Sequence, residues 1–383
     1  MLKFNKHNPA HYITYFLSLI SLVLATLLYL FNKKKNNVVI FTGHKLIGNI
    51  ETLINSENIK YNKYYLTFSL KDYINLSKKK NNILLALNPF HLFILLKSKL
   101  IISSHGLVLH RLLKKYFNLK TISTGHAIKS NNNSEILKEL YHFDEVWLFS
   151  NFEKKIYIEE CNYKIQNLEV TGFPRIDGLS DLYLKKDEIK RAYGFNDKDK
   201  LILYAPTDDR KNQEYLNSIF SLQNLNLYKF FDEISDKLNL KFILKYHINT
   251  NLNGEIIQYI NKSKNLKRHE NSNNYPDISS LAISDILITD WSSIFVDSLA
   301  ISIPIIFLNT PRAYIESGVS KVFNNQLIER KNNYEEISKD LSKLIDDNFL
   351  FNKNLKELKK IIYEDTYENN NIARCVERIE SII

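Results

Sequence analysis

Residues 285–297 read DILITDWSSIFVD, and the order of residue types in them sets the fold class. Ile286, Leu287, Ile288 and Thr289 form an apolar, β-branched run, the pattern of a strand covered on both faces. Asp290, Trp291, Ser292 and Ser293 break it with a turn, and Ile294, Phe295 and Val296 then begin an apolar helix. Ser292 or Ser293 can cap that helix. The first helical N–H groups lack partners, and a helix N-terminus carries about half an elementary charge. Two hydroxyls beside those groups make a cradle for a pyrophosphate. The same spelling also serves an ordinary Asp/Ser cap that holds no ligand.

Outward from this segment, residues 201–205, 242–246 and 305–308 read as further strands, with helical patterns between them such as 213–238 and 292–300. An earlier series, 38–42, 64–70, 83–87, 100–104, 121–124 and 145–149, repeats the alternation. The runs VVIF, ILLAL, LILYA and DILIT are apolar throughout, as parallel strands between helical layers should be. Two α/β domains with parallel sheets are therefore expected. Apolar periodicity fades and charges gather over 178–200, which places the divide there. Residues 333–383 read as helices, with 335–346 and 355–363 amphipathic. The expected division is 1–36 as an anchor, 37–185 and 186–350 as the two domains, and 351–383 as C-terminal helices.

Composition fits this architecture. The 383 residues suffice for two or three domains at roughly 100–200 residues each. With 44% hydrophobic and 25% charged residues, the chain is neither disordered, collagen-like nor a multi-span transporter. Two cysteines, Cys161 and Cys375, exclude a disulfide scaffold and a Cys-based zinc or iron–sulfur site. The net charge of +10 favours anionic partners. Its lysines are scattered among asparagines in no recognisable module, so nucleic acid is not an expected partner.

Residues 13–31 carry no charge. As a helix they extend about 28 Å, close to a hydrocarbon core of roughly 30 Å. Tyr12, Tyr15 and Tyr29 lie near the ends, where interfacial aromatics belong, and Lys33, Lys34 and Lys35 close the segment. Phe31-Asn32-Lys33 offers no small-x-small cleavage site, so an uncleaved single-pass membrane anchor is expected. A buried or interfacial helix is the alternative.

The nine glycines also carry positional information. Gly43, Gly106, Gly125 and Gly172 fall at or just after strand ends, where open α/β sheets bind ligands and where glycine permits close backbone approach. Three have histidine neighbours: Gly43-His44, His105-Gly106 and Gly125-His126. A histidine in such a loop can act as acid, base or phosphate ligand, or can bond its own backbone. His126 and Lys129 lie three apart, a spacing that can face one ligand from the start of a helix. Residues 171–177, TGFPRID, form a proline-locked turn near the domain divide, and Lys245-Tyr-His247 ends a strand.

Taken together these segments resemble the CDP-glycerol glycerophosphotransferase family, the teichoic-acid primases and polymerases. That family has a WHGTPLK-like segment, a GNPRYD-like turn, a YAPT-like strand, an R-x-H strand and a TDYSS-x-x-x-D segment. This chain shows STGHAIK, TGFPRID, LYAPTDD, KYH and TDWSSIFVD in that order, over roughly residues 38–314. It departs from the pattern at Gly125, Ala127, Lys245 and Trp291. The resemblance implies a GT-B-like fold, two Rossmann-like domains facing a cleft, the first on the acceptor side and the second holding the nucleotide donor.

The implied reaction moves glycerol phosphate or ribitol phosphate from a CDP-alcohol to a hydroxyl of a membrane-linked glycan or a teichoic-acid or capsule-type polymer, releasing CMP. In it His126 is the expected general base and His247 the expected diphosphate ligand. Ser292, Ser293, Lys129 and Lys245 would bind the donor phosphates. Thr289, Asp290 and Asp297 would orient donor or polyol, and Arg175, Gly125 and Thr207 would line the cleft or its hinge. No metal or other cofactor is expected, because lysine, histidine and helix N-termini can neutralise a diphosphate. A cytoplasmic nucleotide donor places the catalytic domains on the cytoplasmic side of a bacterial membrane. The alternatives are a GT-B glycosyltransferase using a nucleotide sugar and a non-catalytic, membrane-tethered binding protein.

Overall fold

The computed structural model describes residues 9–105, 110–125, 140–160, 163, 165–207, 212–246, 250–269, 275–311, 326–347, 350–364 and 369–383. They form two α/β units, with the change between them at residues 175 and 176 and with the last fifteen residues, 369–383, returning to the first unit.

The first unit is built on β1 (Val38–Thr42), β2 (Asn62–Thr67), β3 (Ile83–Leu85), β4 (Leu100–Ser103), β5 (Lys120–Ser123), β6 (Glu145–Leu148) and β7 (Leu168–Val170). They form one parallel sheet in the order β3-β2-β1-β4-β5-β6-β7. The apolar run of β1 explains why it is central. Val39 and Phe41 pack on one face with Ile50, Leu53 and Trp147. Val38 and Ile40 pack on the other with Leu92, Leu95 and Leu96. A strand with period-two side chains and both faces covered has no polar face to show, which is why its sequence does not alternate.

The second unit repeats the plan with β8 (Lys200–Tyr204), β9 (Leu240–Leu244), β10 (Leu266–Arg268), β11 (Ile286–Thr289), β12 (Ile305–Leu308) and β13 (Arg330–Lys331). Their order is β10-β9-β8-β11-β12-β13, again parallel. The Leu225–Leu238 helix covers one face through Leu227, Phe231 and Ile234, against Ile202, Phe242 and Ile286. Every strand expected from sequence is present within two or three residues at each end. β7, β10 and β13 were not expected. All three are edge strands of two or three residues, reading LEV, LKR and RK, too short and too polar to give a hydrophobic signal.

Asparagine does much of the local work. Asn88, Asn224, Asn333 and Asn352 cap helices by accepting backbone N–H bonds, as at Asn352 Oδ1 from Leu355 N at 2.9 Å. Asn118, Asn239 and Asn370 take the left-handed conformation. Asparagine tolerates it better than most residues, which suits a chain so poor in glycine.

The two C-terminal helices part company. Lys353–Tyr363 docks in the second unit, with Tyr363 Oη donating to Val296 O at 2.8 Å and Lys359 Nζ to Ala300 O at 2.9 Å. Asn371–Ile382 belongs to the first. Its Cys375 and Ile379 are buried beside Trp147, Arg374 Nε donates to Thr171 O at 2.9 Å, and Arg378 pairs with Glu145.

Pro9–Phe31 is one continuous helix, long and apolar enough by length and composition to cross a membrane. Ser21 and Ala25 are buried against the first unit, with Ser21 Oγ donating to Leu87 O at 2.8 Å and Tyr29 edge-on to Phe117 at 5.3 Å. Just beyond it, Lys35 Nζ donates to Leu96 O at 2.8 Å and Ser98 O at 3.0 Å, and burial pulls its ammonium down to about 8. The opposite face, including Ile13, Phe16, Ile20, Val23, Leu24 and Leu27, is bare.

Candidate functional site

In an open α/β sheet the crevice for a ligand lies outside the carboxyl ends of the strands, where the strand order reverses. In the second unit that point lies between β8 and β11. The strands deliver Ala205-Pro206-Thr207 and Asp290-Trp291-Ser292-Ser293 to it.

Asp290 is fully buried and ties the loops together. Its Oδ1 accepts from Thr207 N at 2.8 Å and its Oδ2 from Thr310 Oγ1 at 3.2 Å. Thr289 Oγ1 donates to Ala205 O at 2.7 Å, closing the seam from the strand side. The Trp291 indole donates to Thr310 O at 2.9 Å. The Arg330 guanidinium stacks 3.6 Å from the Trp291 ring while donating to Asp290 O and Leu308 O. Thr289 and Asp290, expected to orient donor or polyol, face inward and hold the ends of β8, β11 and β12 in place. Asp297 is likewise buried, in the first turn of the Ile294–Ala300 helix.

Ser292 and Ser293 are partly exposed, and Ser293 occupies the N-cap position without its side chain closing the cap. Thr207 Oγ1 is buried and has no hydrogen-bond partner among the described residues. The switch point thus presents hydroxyl groups that no side chain of the described residues takes up.

Lys245 follows β9, the neighbour of β8. Its Nζ lies 2.6 Å from Asp277 Oδ2, whose Oδ1 is 3.1 Å from His269 Nε2. Tyr193 Oη lies 3.4 Å from His269 Nδ1 and 2.9 Å from Ser279 Oγ. Burial pushes the Asp277 carboxyl up, but the Lys245 charge and the His269 bond outweigh it and hold the group well below the usual carboxylate range. Lys245, expected at the donor phosphates, is therefore anchored by a carboxylate that sequence reading did not find. Asp277, His269, Thr310 and Arg330 meet their partners across 8 to 76 residues, and no local motif marks them.

In the first unit the order reverses between β1 and β4. Gly125 ends the segment after β5 with φ +58°, a conformation suited to glycine, and no atom of the described residues lies within 4 Å of where a Cβ would stand. Asn49 Nδ2 reaches Thr124 O at 3.4 Å and Gly125 O at 3.5 Å, and Asn49 Oδ1 accepts from Arg175 N at 3.5 Å. Arg175 is buried, with its guanidinium 4.3 Å from the Phe173 ring. His126, Lys129 and His247 lie outside the described residues. No group of three or more potential metal-ligating side chains occurs among the described residues.

The family model described as CDP-Glycerol:Poly(glycerophosphate) glycerophosphotransferase matches residues 23–324. The teichoic acid poly(glycerol phosphate) polymerase of Bacillus spizizenii is 30% identical over 175 residues, 45% of this chain and 42% of that protein. The teichoic acid poly(ribitol-phosphate) polymerase of the same organism is 26% identical over 178 residues, 44% of this chain and 26% of that protein. The matched stretch spans less than half of each of these relatives. Among solved structures, the wall teichoic acid polymerase TagF superposes with TM-score 0.68 at 17% identity, covering 98% of both chains. UDP-GlcNAc 2-epimerase from Neisseria meningitidis, bound to UDP-GlcNAc, gives TM-score 0.57 at 14% identity over 90% of this chain and 99% of that one. At these identities the structural likeness speaks to the fold, which is GT-B-like.

Proposed function

The chain belongs to the CDP-glycerol:poly(glycerophosphate) glycerophosphotransferase family, and from that premise we propose that it transfers a polyol phosphate from a CDP-alcohol to a hydroxyl of a membrane-linked polymer, releasing CMP. The observation that carries the reading is the construction between β8 and β11. A buried Asp290 fixes the loops, while Ser292, Ser293 and the buried Thr207 hydroxyl are left for a ligand. Hydroxyls at a helix start suit a diphosphate.

The acceptor oxygen attacks the phosphorus that bears the polyol. The bond from that phosphorus to the oxygen shared with the CMP phosphate breaks, and CMP leaves with the bridging oxygen. His126 takes the acceptor proton, and His247 with Lys245 stabilises the charge that builds on the departing phosphate. Asp277 holds the Lys245 ammonium at the strand end, so its charge is in place before the donor arrives. Positioning and charge neutralisation supply most of the rate.

The test is CMP release by the full chain with a lipid-linked acceptor and, in turn, CDP-glycerol, CDP-ribitol and a UDP-sugar. One of the CDP-alcohols should be consumed and the UDP-sugar should not. His126→Ala and His247→Ala should each lower the rate by roughly 10²-fold or more. EDTA should leave it largely intact. Consumption of the UDP-sugar alone, or full activity in both histidine variants, would overturn the reading.

Attachment to the cytoplasmic face of a membrane is assigned to the Pro9–Phe31 helix. Its length would allow a crossing. Its docked side, Ser21 and Ala25 against the first unit, instead favours a helix lying along the membrane surface with its bare side in lipid. An epitope tag at the N-terminus should then be reached by protease from the same side as the catalytic units. Protection of the tag would restore the single-pass reading.

A further inference from the structure

Two of the three glycine–histidine pairs singled out in the sequence remain without a role, and the fold brings them together. β1 and β4 are parallel neighbours in register, with Thr42 opposite Ser103. His44 and His105 each stand two residues beyond that pair, so continuing the register sets one against the other. Their ring centroids lie 4.0 Å apart with the planes tilted by 57°. They stand where the strand order of the first unit reverses, the place at which such sheets hold ligands.

The surroundings fix the pair. A Cβ at Gly43 would come 2.5 Å from Ser104 Oγ, so the loop after β1 can lie this close only with glycine at that position. The same Ser104 Oγ lies 2.8 Å from His105 Nδ1. Ser103 Oγ accepts from His105 N at 3.2 Å and donates to His105 O at 2.5 Å, winding the segment after β4 tightly. On the other side Tyr65 Oη donates to Gly43 O at 3.1 Å. The adjacent ammonium of Lys45 is paired with Asp72 at 2.6 Å, so the imidazoles themselves give the place its character. His44 is exposed and His105 half-buried. No set of three metal-ligating groups forms among the described residues.

We propose that His44 and His105 form a seat for a phosphodiester of the acceptor chain. Imidazole N–H groups donate to phosphate oxygens, and two rings side by side can direct such donors at one anion. Asn49 links this unit's loops to Gly125, after the next strand, β5. A phosphate held at the histidines belongs to the polymer unit already in place, while the hydroxyl beyond it goes to the Gly125-His126 segment. The inference rests on the reading of the first unit as the acceptor side. It selects an acceptor that already carries polyol phosphate, so the chain extends a polymer rather than starting one.

The experiment is equilibrium binding of a short poly(glycerol phosphate) oligomer to the full chain, with no donor present. Uncharged polyglycerol of the same length is the control, and binding of CDP-glycerol and of CDP-ribitol is measured in parallel. The wild type should bind the phosphodiester oligomer at least tenfold more tightly than the control. The H44A/H105A double variant should lose that preference while its affinity for CDP-glycerol is unchanged. Equal binding of both oligomers to the wild type, or an undiminished preference in the double variant, overturns the proposal. If the double variant melts early, His44→Gln decides alone, because that side chain is exposed and its loss leaves the core intact. Histidine-dependent oligomer binding with no binding of either CDP-glycerol or CDP-ribitol would refute the transfer reaction and leave the phosphodiester seat standing.

Discussion

The two oxygens of Asp290 bind Thr207 N and Thr310 Oγ1 in the interior, so the loss of that one carboxylate leaves two donors unsatisfied. Asp290→Ala should destabilise the second unit by about 3 kcal/mol or more, read from urea unfolding. Asp277 acts at the same scale through charge. Its folded-state carboxyl lies below the ordinary range despite burial, because Lys245 and His269 outweigh desolvation. Its contribution is therefore fully present above the unfolded value, about 4, and is lost as pH falls through the depressed folded value. Asp277→Asn should be less stable than the wild type at pH 7, and the gap should narrow on acidification from pH 5 to 2. A gap independent of pH would show that the ion pair contributes nothing. Neither partnership is spelled in the sequence. Asp290 sits in a legible motif, but what it grips is 83 residues upstream and 20 downstream.

Among the elements, the apolar strands were legible, the edge strand β3 included, and the short polar edges were not. A run such as Ile286–Thr289, apolar on both faces, has one structural solution in a chain of alternating strands and helices. β7, β10 and β13 form only because a neighbouring strand offers them a ladder. The Asn371–Ile382 helix makes the same point. It lies in the stretch 333–383 that reads as helices, while its partner is chosen by the far end of the chain. Gly172, with φ +76°, lies so close to Asn371 that a Cβ there would collide with the asparagine amide. Gly172→Ala should cost about 1–2 kcal/mol from the backbone alone, and more as the helix is displaced. Differential scanning calorimetry should show a lowered transition for the first unit with that of the second unchanged.

For the whole molecule, the net charge of +10 and the bare face of the Pro9–Phe31 helix act together. Binding to vesicles containing anionic lipid should exceed binding to zwitterionic ones and should weaken as salt is raised. Leu24→Glu with Leu27→Glu places charges on the bare face and leaves Ser21 and Ala25 docked. That variant should remain soluble in a vesicle co-sedimentation assay, with its melting temperature unchanged.

The sequence by itself determined the two α/β units, their central strands and the order of the motifs at the strand ends. Strands buried on both faces and helices with one apolar face are spelled locally, within a few residues. Only the tertiary structure decided that Thr289 and Asp290 face inward, that Lys245 is held by Asp277, and that His44 meets His105. Each of these depends on which strands lie side by side and in what register. That choice is made by the packing of the whole sheet and by no segment within it.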